Sequence, residues 1–324
     1  MISDPLEPAA PGDRPAASDP TALAYDSLDG LSVGDALGAQ FFVPGRSPAD
    51  LVAGRLPESP WEWTDDTEMA CSVVAELRDH GEVLPDRLAA AFADRCEPYR
   101  GYGPGAVVIL HRIRDSVPWR EAAGAAFGGA GSCGNGAAMR VAPLGARFAR
   151  EPAVAAEQAA RSAEVTHLHP EGVAGAVAVA LAAATAAAAR LANARPAPEA
   201  FLDAVLERLP DGEIRRGIVR ARALLGRSAA EAAYELGNGS RVTAQDTVPF
   251  TLWLAATHLT DYPAAVTACV VAGGDADTTA AITGGIVAAH TGHGDRPGVR
   301  GIPAGWLAAR EPLPAWSAPS VPGT

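Results

Sequence analysis

Two short stretches of this chain combine carboxylates and hydroxyls in a pattern that suits hard cations. WTDDTEMA (63–70) carries Thr64, Asp65, Asp66 and Thr67, and GGDADTTAAI (273–282) carries Asp275, Asp277, Thr278 and Thr279. Each stands at the start of a helical pattern and beside apolar sequence. Taken singly, each reads as a helix N-cap, where hydroxyls and acids satisfy free N–H groups and favour the positive end of the helix dipole. Taken together they pose a problem, because buried carboxylates without a positive partner are costly. Carboxylate and hydroxyl oxygens are ligands for magnesium or manganese. Two such half-sites facing each other could hold two cations roughly 3.5–4 Å apart and perform metal-assisted hydrolysis.

Two further stretches share the mixture of glycine with polar residues. LSVGDALGAQFF contributes Asp35. FGGAGSCGNGAAMR (127–140) reads as a flexible loop entering a helix at AAMR, and its backbone N–H groups could cradle a phosphate or diphosphate. A tight interhelical turn is the competing reading of that loop. Phe127, just before it, could stack on a base or belong to the core.

The elements that must position these residues are helical almost throughout. TALAYDSLDGLSVGDALGA, TEMACSVVAELRDHG, PDRLAAAFADRCEPY, GPGAVVILHRIRD, AAMRVAPLGARF, PEGVAGAVAVALAAATAAAARLA, DTVPFTLWLAATH and ADTTAAITGGIVAAH all place apolar or small residues at helical spacing. No segment alternates with period two between turn signals, and no fixed-period repeat occurs. The expected fold is all-α, compact and single-domain, covering 20–310. Segments 1–19 and 311–324, rich in proline, serine and glycine, are expected to be flexible tails.

Composition excludes several chemistries. The 324 residues contain no lysine, so Schiff-base chemistry and a Walker A phosphate loop are out. The formal net charge of -12, without a basic cluster, argues against nucleic-acid binding through phosphate neutralisation. The four cysteines, Cys71, Cys96, Cys133 and Cys269, show no CxxC pair and no zinc spacing. The longest apolar run is mostly alanine and glycine, which reads as a core helix rather than a membrane span. No signal-peptide pattern stands at the N-terminus, and a cytoplasmic, soluble protein is expected.

The ordered set GDALGA (34–39), WTDDTEMA (63–70), GSCGNGAAMRVAPLG (131–145), Thr166-His167 and GGDADTTAAI (273–282) resembles the ADP-ribosylglycohydrolase family, including the dinitrogenase reductase-activating glycohydrolases. The resemblance spans about residues 22–310. It implies an all-helical fold with a binuclear magnesium or manganese centre, and cleavage of a glycosidic bond at the anomeric carbon of ADP-ribose. The implied metal ligands are Thr64, Asp65, Asp66, Asp275, Asp277 and Thr278, with Asp65, Asp66 or Asp277 assisting as base. The implied diphosphate loop is Gly131, Ser132, Cys133, Gly134 and Asn135. His167 matches a histidine lining the cleft, although its sequence context equally suits a core histidine. Asp35, Phe42 and Phe127 complete the expected substrate-binding set.

The chain departs from the family's pattern at one position. Several members carry a glutamate seven residues after the aspartate of the GDxxG helix, where this chain has Phe42. The departure leaves the cleaved linkage open, with arginine-linked and other ADP-ribosyl substrates both in range. It also keeps two alternatives alive: a non-catalytic ADP-ribose binder, and a hydrolase of a smaller ribosyl or nucleotide conjugate.

Overall fold

The structure, a computed structural model, describes residues 19–319. Sixteen α-helices follow one another among the described residues: α1 Pro20–Ala39, α2 Pro48–Val52, α3 Asp65–His80, α4 Pro85–Arg95, α5 Pro104–Arg114, α6 Trp119–Gly124, α7 Ala142–Arg147 and α8 Pro152–Glu164. They continue with α9 Pro170–Leu191, α10 Pro198–Leu206, α11 Glu213–Ala223, α12 Ala229–Leu236, α13 Ala244–Thr257, α14 Tyr262–Ala272, α15 Ala276–Thr291 and α16 Ala304–Ala309. The described extended structure is a two-residue hairpin, β1 Asp295–Arg296 paired with β2 Val299–Arg300, together with isolated bridges. The all-α expectation agrees with this architecture.

Small residues determine the central contact. In α1, Gly30, Gly34 and Gly38 recur every fourth position and so lie on one face. A Cβ at Gly30 would meet Gly284 and Ala288, one at Gly34 would meet Ala280, and one at Gly38 would meet Ala276 and Asp277. The numbers rise along α1 as they fall along α15, so the two helices run antiparallel with their backbones nearly touching. That direction has a chemical consequence. It brings the C-terminal half of α1, with Asp35, against the N-terminus of α15, with Asp277.

The alanine-rich α9 is long and apolar enough to cross a membrane by length and composition. Here it packs against α7, α8, α10, α13 and α15, and most of its residues are buried. Gly145 of α7 lies against the Ala180 backbone of α9, the same close-approach device as in α1.

One expected helix is shorter than its sequence suggests. AAMRVAPLGARF reads as continuous, but Asn135–Ala137 forms a 3-10 turn and α7 begins only at Ala142. Val141, with φ -110° and ψ 0°, interrupts the pattern. The glycine-rich loop therefore does not run directly into an α-helix N-terminus.

Residues 1–18 of the expected N-terminal tail lie outside the described residues, and Asp19 caps α1 by accepting from the Thr21 N–H. On the C-terminal side, 311–319 is described. Glu311 makes a two-point ion pair with Arg100, and Pro312 O accepts from the Trp63 indole.

Candidate functional site

Three chain segments meet where α1, α3 and α15 converge. Thr64 caps α3, and its hydroxyl accepts from the Asp66 N–H at 3.4 Å. The non-helical backbone before Asp65 and the acids in the first turn follow from the ordinary chemistry of a helix start. Asp275 is the N-cap residue of α15, and Asp277 lies in its first turn, accepting from the Thr278 N–H at 2.8 Å. Two positive helix ends thus point at one volume, and both carry carboxylates into it.

Asp35 is fully buried between them. Its Oδ2 accepts from the N–H groups of Thr64 (2.9 Å) and Thr67 (3.2 Å) and from the Thr67 hydroxyl (2.5 Å). Its Oδ1 accepts from the Thr64 hydroxyl at 2.8 Å. The same Thr64 hydroxyl lies 3.1 Å from Asp66 Oδ2, and the Thr278 hydroxyl lies 3.3 Å from that oxygen. One hydroxyl proton cannot serve Asp35 and Asp66 at once, so the Thr64 oxygen holds more carboxylate neighbours than protons. Asp66 Oδ1 is buried with no hydrogen-bond partner at all.

Oxygens of Asp35, Asp66 and Asp277 lie within 4.8 Å of one another, close enough to share a cation. Asp65 and Asp275 stand beside them. No described arginine or histidine forms an ion pair with any of these five carboxylates. Burial pushes the Asp66 carboxyl well above its usual range, and repulsion from Asp35, Asp277, Asp65 and Asp275 adds to the rise. Asp277 rises for the same reasons, burial first and then Asp275 and Asp35. Asp65 is pushed up to about 8 by burial and by Asp35. A carboxylate set this crowded is compensated either by protons or by cations. The unpartnered Asp66 oxygen, the over-subscribed Thr64 hydroxyl and the all-oxygen donor set fit a hard divalent ion.

The sequence-derived set is brought together with one change of place. Thr64, Asp66, Asp277 and Thr278 line the cluster, and Asp65 borders it. Asp35, expected among substrate-binding residues, belongs inside the carboxylate group. Asp275 is held from outside by the Asn135 amide, which donates to Oδ2 at 2.7 Å and to the Thr247 hydroxyl at 3.1 Å.

Asn135 links the cluster to the glycine-rich loop. Gly128, Gly129 and Gly131 all have positive φ, and a Cβ at Gly131 would collide with the backbone of Leu168 and His169. The Ser132 hydroxyl accepts from the Gly134 N–H, and the Asn135 N–H donates to Val242 O. Cys133 is partly exposed on the loop. His167 is buried directly beneath: a Cβ on Gly134 or Gly136 would press on its ring. Its Nδ1 lies 2.7 Å from the Thr166 hydroxyl, and burial, followed by the nearby Arg140 charge, drives it down to about 3. It is therefore a neutral support for the loop. Phe127 is not a core residue: it is 70 % exposed, with φ +52°, and its ring lies against Gly105. Phe42 is 54 % exposed, just beyond α1 in the 3-10 turn Gln40–Phe42.

Sequence reasoning missed two walls. The first is the 97–102 loop. Glu68 Oε2 accepts from the Tyr102 hydroxyl (2.7 Å) and the Glu97 N–H (3.1 Å), and the Arg100 guanidinium lies 3.4 Å over the Trp63 ring. These contacts bring Gly101 beside Asp65. Glu68, three residues after Asp65 in WTDDTEMA, was the available signal. The second is 237–243. Asn238 O accepts from the Asp275 N–H, Gly239 lies against the Asp275 side chain, and Ala244 N–H donates to Cys133 O. The GNGS turn residues there marked a loop but gave no sign of which one it would meet.

The chain is similar to known proteins in sequence and in fold. The family model for ADP-ribosylglycohydrolase matches residues 17–317. The ADP-ribosylhydrolase ARH3 of Xenopus tropicalis is 28% identical over 334 residues, covering 88% of this chain and 90% of its own. A protein of Archaeoglobus fulgidus is 32% identical over 276 residues, with 79% and 84% covered. Among solved structures, a chain titled ADP-ribosylglycohydrolase-related protein complex superimposes with a TM-score of 0.62 at 26% identity, covering 90% of this chain and 93% of that one. The chain belongs to the ADP-ribosylglycohydrolase family.

Proposed function

We propose that this hydrolase releases ADP-ribose from an acceptor, such as an arginine side chain, by cleaving the glycosidic bond at the anomeric carbon. The observation that carries the reading is the group of buried Asp35, buried Asp66 and half-buried Asp277, without a basic partner and with one carboxylate oxygen unpaired. Two magnesium or manganese ions would be held among Thr64, Asp65, Asp66, Asp275, Asp277 and Thr278, with Asp35 joining them. When bound, such ions supply charge stabilisation at the ribose hydroxyls and ease deprotonation of a nearby water.

The chain's own groups have distinct parts in this reading. A carboxylate of the cluster takes the proton of the attacking water; Asp65, which stands beside Gly101, is the group assigned this part, with Asp66 and Asp277 as the alternatives. The water oxygen bonds to the anomeric carbon as the bond to the acceptor breaks, and the acceptor leaves with the proton that the carboxylate took from the water. Asn135 fixes the Asp275 carboxylate while its loop, 131–135, receives the diphosphate. The exposed Phe127 ring offers a stacking face for the base, and Phe42 stands on the acceptor side. The four cysteines are free thiols, which suits a reducing, cytoplasmic setting.

The test is release of ADP-ribose from arginine-, serine- and guanine-linked conjugates, with magnesium and with chelator. Release that needs the metal and is lost in Asp66→Asn supports the proposal. Tight ADP-ribose binding with no release from any conjugate would overturn it in favour of a binding protein.

A further inference from the structure

A second feature lies at the far end of α15 from the carboxylates. A cavity of about 320 Å³ is lined by Arg190, Asn193, Arg195, His290, Arg296 and Val299, among others, and by no acidic residue. Asp277 and His290 are thirteen residues apart on one helix, so this cavity stands roughly 20 Å from the cluster.

In a chain of net charge -12, three guanidiniums converging on one cavity require a reason. Arg190 pairs with Asp26 at 2.7 Å. Arg195 and Arg296 form no ion pair among the described residues. Arg195 donates to Pro297 O at 2.7 Å, and Arg296 donates to His290 O at 2.7 Å. Capping the α15 C-terminus accounts for one bond of Arg296, but a guanidinium has five N–H donors. Partial desolvation, and then repulsion from Arg190 and Arg195, lowers the Arg296 guanidinium from its ordinary range, and the Asp26 carboxylate offsets part of that. His290 is pushed down to about 4, mainly by burial, and so lines the cavity as a neutral ring.

The backbone is shaped to admit these groups. Gly292 and Gly298 have φ +62° and +68°, and a Cβ at either would press on the Arg190 or Arg195 guanidinium. The loop therefore depends on glycine where the arginines pass.

We propose that this cavity binds a phosphate-bearing anion, separately from the carboxylate centre. Forked guanidiniums match tetrahedral oxyanions, whereas no phenylalanine, tyrosine or tryptophan lines the cavity to hold a nucleobase. The recognised group is thus the phosphate, whether inorganic or carried by a nucleotide.

The experiment uses the full chain in chelator, where the carboxylate cluster repels anions. Inorganic phosphate, AMP and adenosine are titrated while the Nε–H resonances of Arg195 and Arg296 are followed. Phosphate and AMP should move both resonances and adenosine neither. Arg195→Gln and Arg296→Gln, both at exposed positions, should each weaken phosphate about tenfold or more. AMP binding more tightly than phosphate would point to a nucleotide source, and equal affinities to phosphate itself. The proposal falls if neither resonance responds at tens of millimolar, if adenosine binds like AMP, or if Asn135→Ala removes the binding and the arginine variants do not.

Discussion

The stabilisation that divalent cations give this chain should grow as pH rises. Asp65 is ordinarily a group of pKa 3.8, and in the folded, metal-free chain it rises to about 8. A folded-state pKa above the unfolded one means the folded chain holds the extra proton. Its stability is then greatest at low pH and falls as pH rises from about 4 through 8. Between about pH 6 and pH 8 the loss from one such group is about 2 kcal/mol, or roughly 4 °C in Tm for a chain this size. Asp66 and Asp277 shift in the same direction and add to it. A bound cation takes the proton's place, so metal-induced stabilisation should grow with pH by at least that amount. His293 also loses stabilisation as pH rises from about 6.5 towards 9. Burial lowers its pKa, but Asp26 and Asp29 raise it further, to about 9. That contribution does not involve the cluster and cancels in the difference between magnesium and chelator. The assay is thermal unfolding across this pH range in both conditions. A difference that stays flat, or shrinks with pH, would refute the argument that buried carboxylates exchange protons for metal.

Other perturbations test the scaffold and the rim. Gly34→Ala places a methyl on the Ala280 carbonyl oxygen, which only separation of α1 and α15 relieves. A cost of about 1–3 kcal/mol is expected, beyond the roughly 1 kcal/mol gain in helix propensity, with weaker magnesium binding; an unchanged Tm would contradict the close packing. Asn135→Ala removes the amide from Asp275 and Thr247 and should lower kcat/KM at least tenfold with little change in the far-ultraviolet helical signal. Phe42→Glu, at an exposed position, should change stability by less than about 0.5 kcal/mol while altering relative rates among arginine- and serine-linked conjugates. Identical rate ratios would remove Phe42 from the acceptor side.

The sequence made the helices legible because glycine, proline and capping residues punctuate them. Thr64 and Asp275 stand at helix starts as their chemistry suggests. It also made the pairing of 63–70 with 273–282 legible, since neither set of acids has a cation in its own segment. What it did not make legible depends on contacts between distant segments. Asp35 joins the carboxylates because Gly30, Gly34 and Gly38 bring α1 against α15, and spacing alone names no partner helix. The 237–243 wall rests on backbone bonds to Cys133 and Asp275, which side-chain patterns do not encode. Phe127 could be core or surface by type, and only the path of the glycine-rich loop, which leaves its ring exposed, decides between them.

The central claim is that Asp35, Asp66 and Asp277 surround divalent cations that act on ADP-ribose. Anomalous diffraction from crystals soaked with manganese and ADP-ribose addresses it directly. Two peaks bounded by these carboxylates, with the ribose hydroxyls facing them, are predicted. ADP-ribose bound elsewhere, or a cluster without anomalous density at saturating manganese, would contradict it.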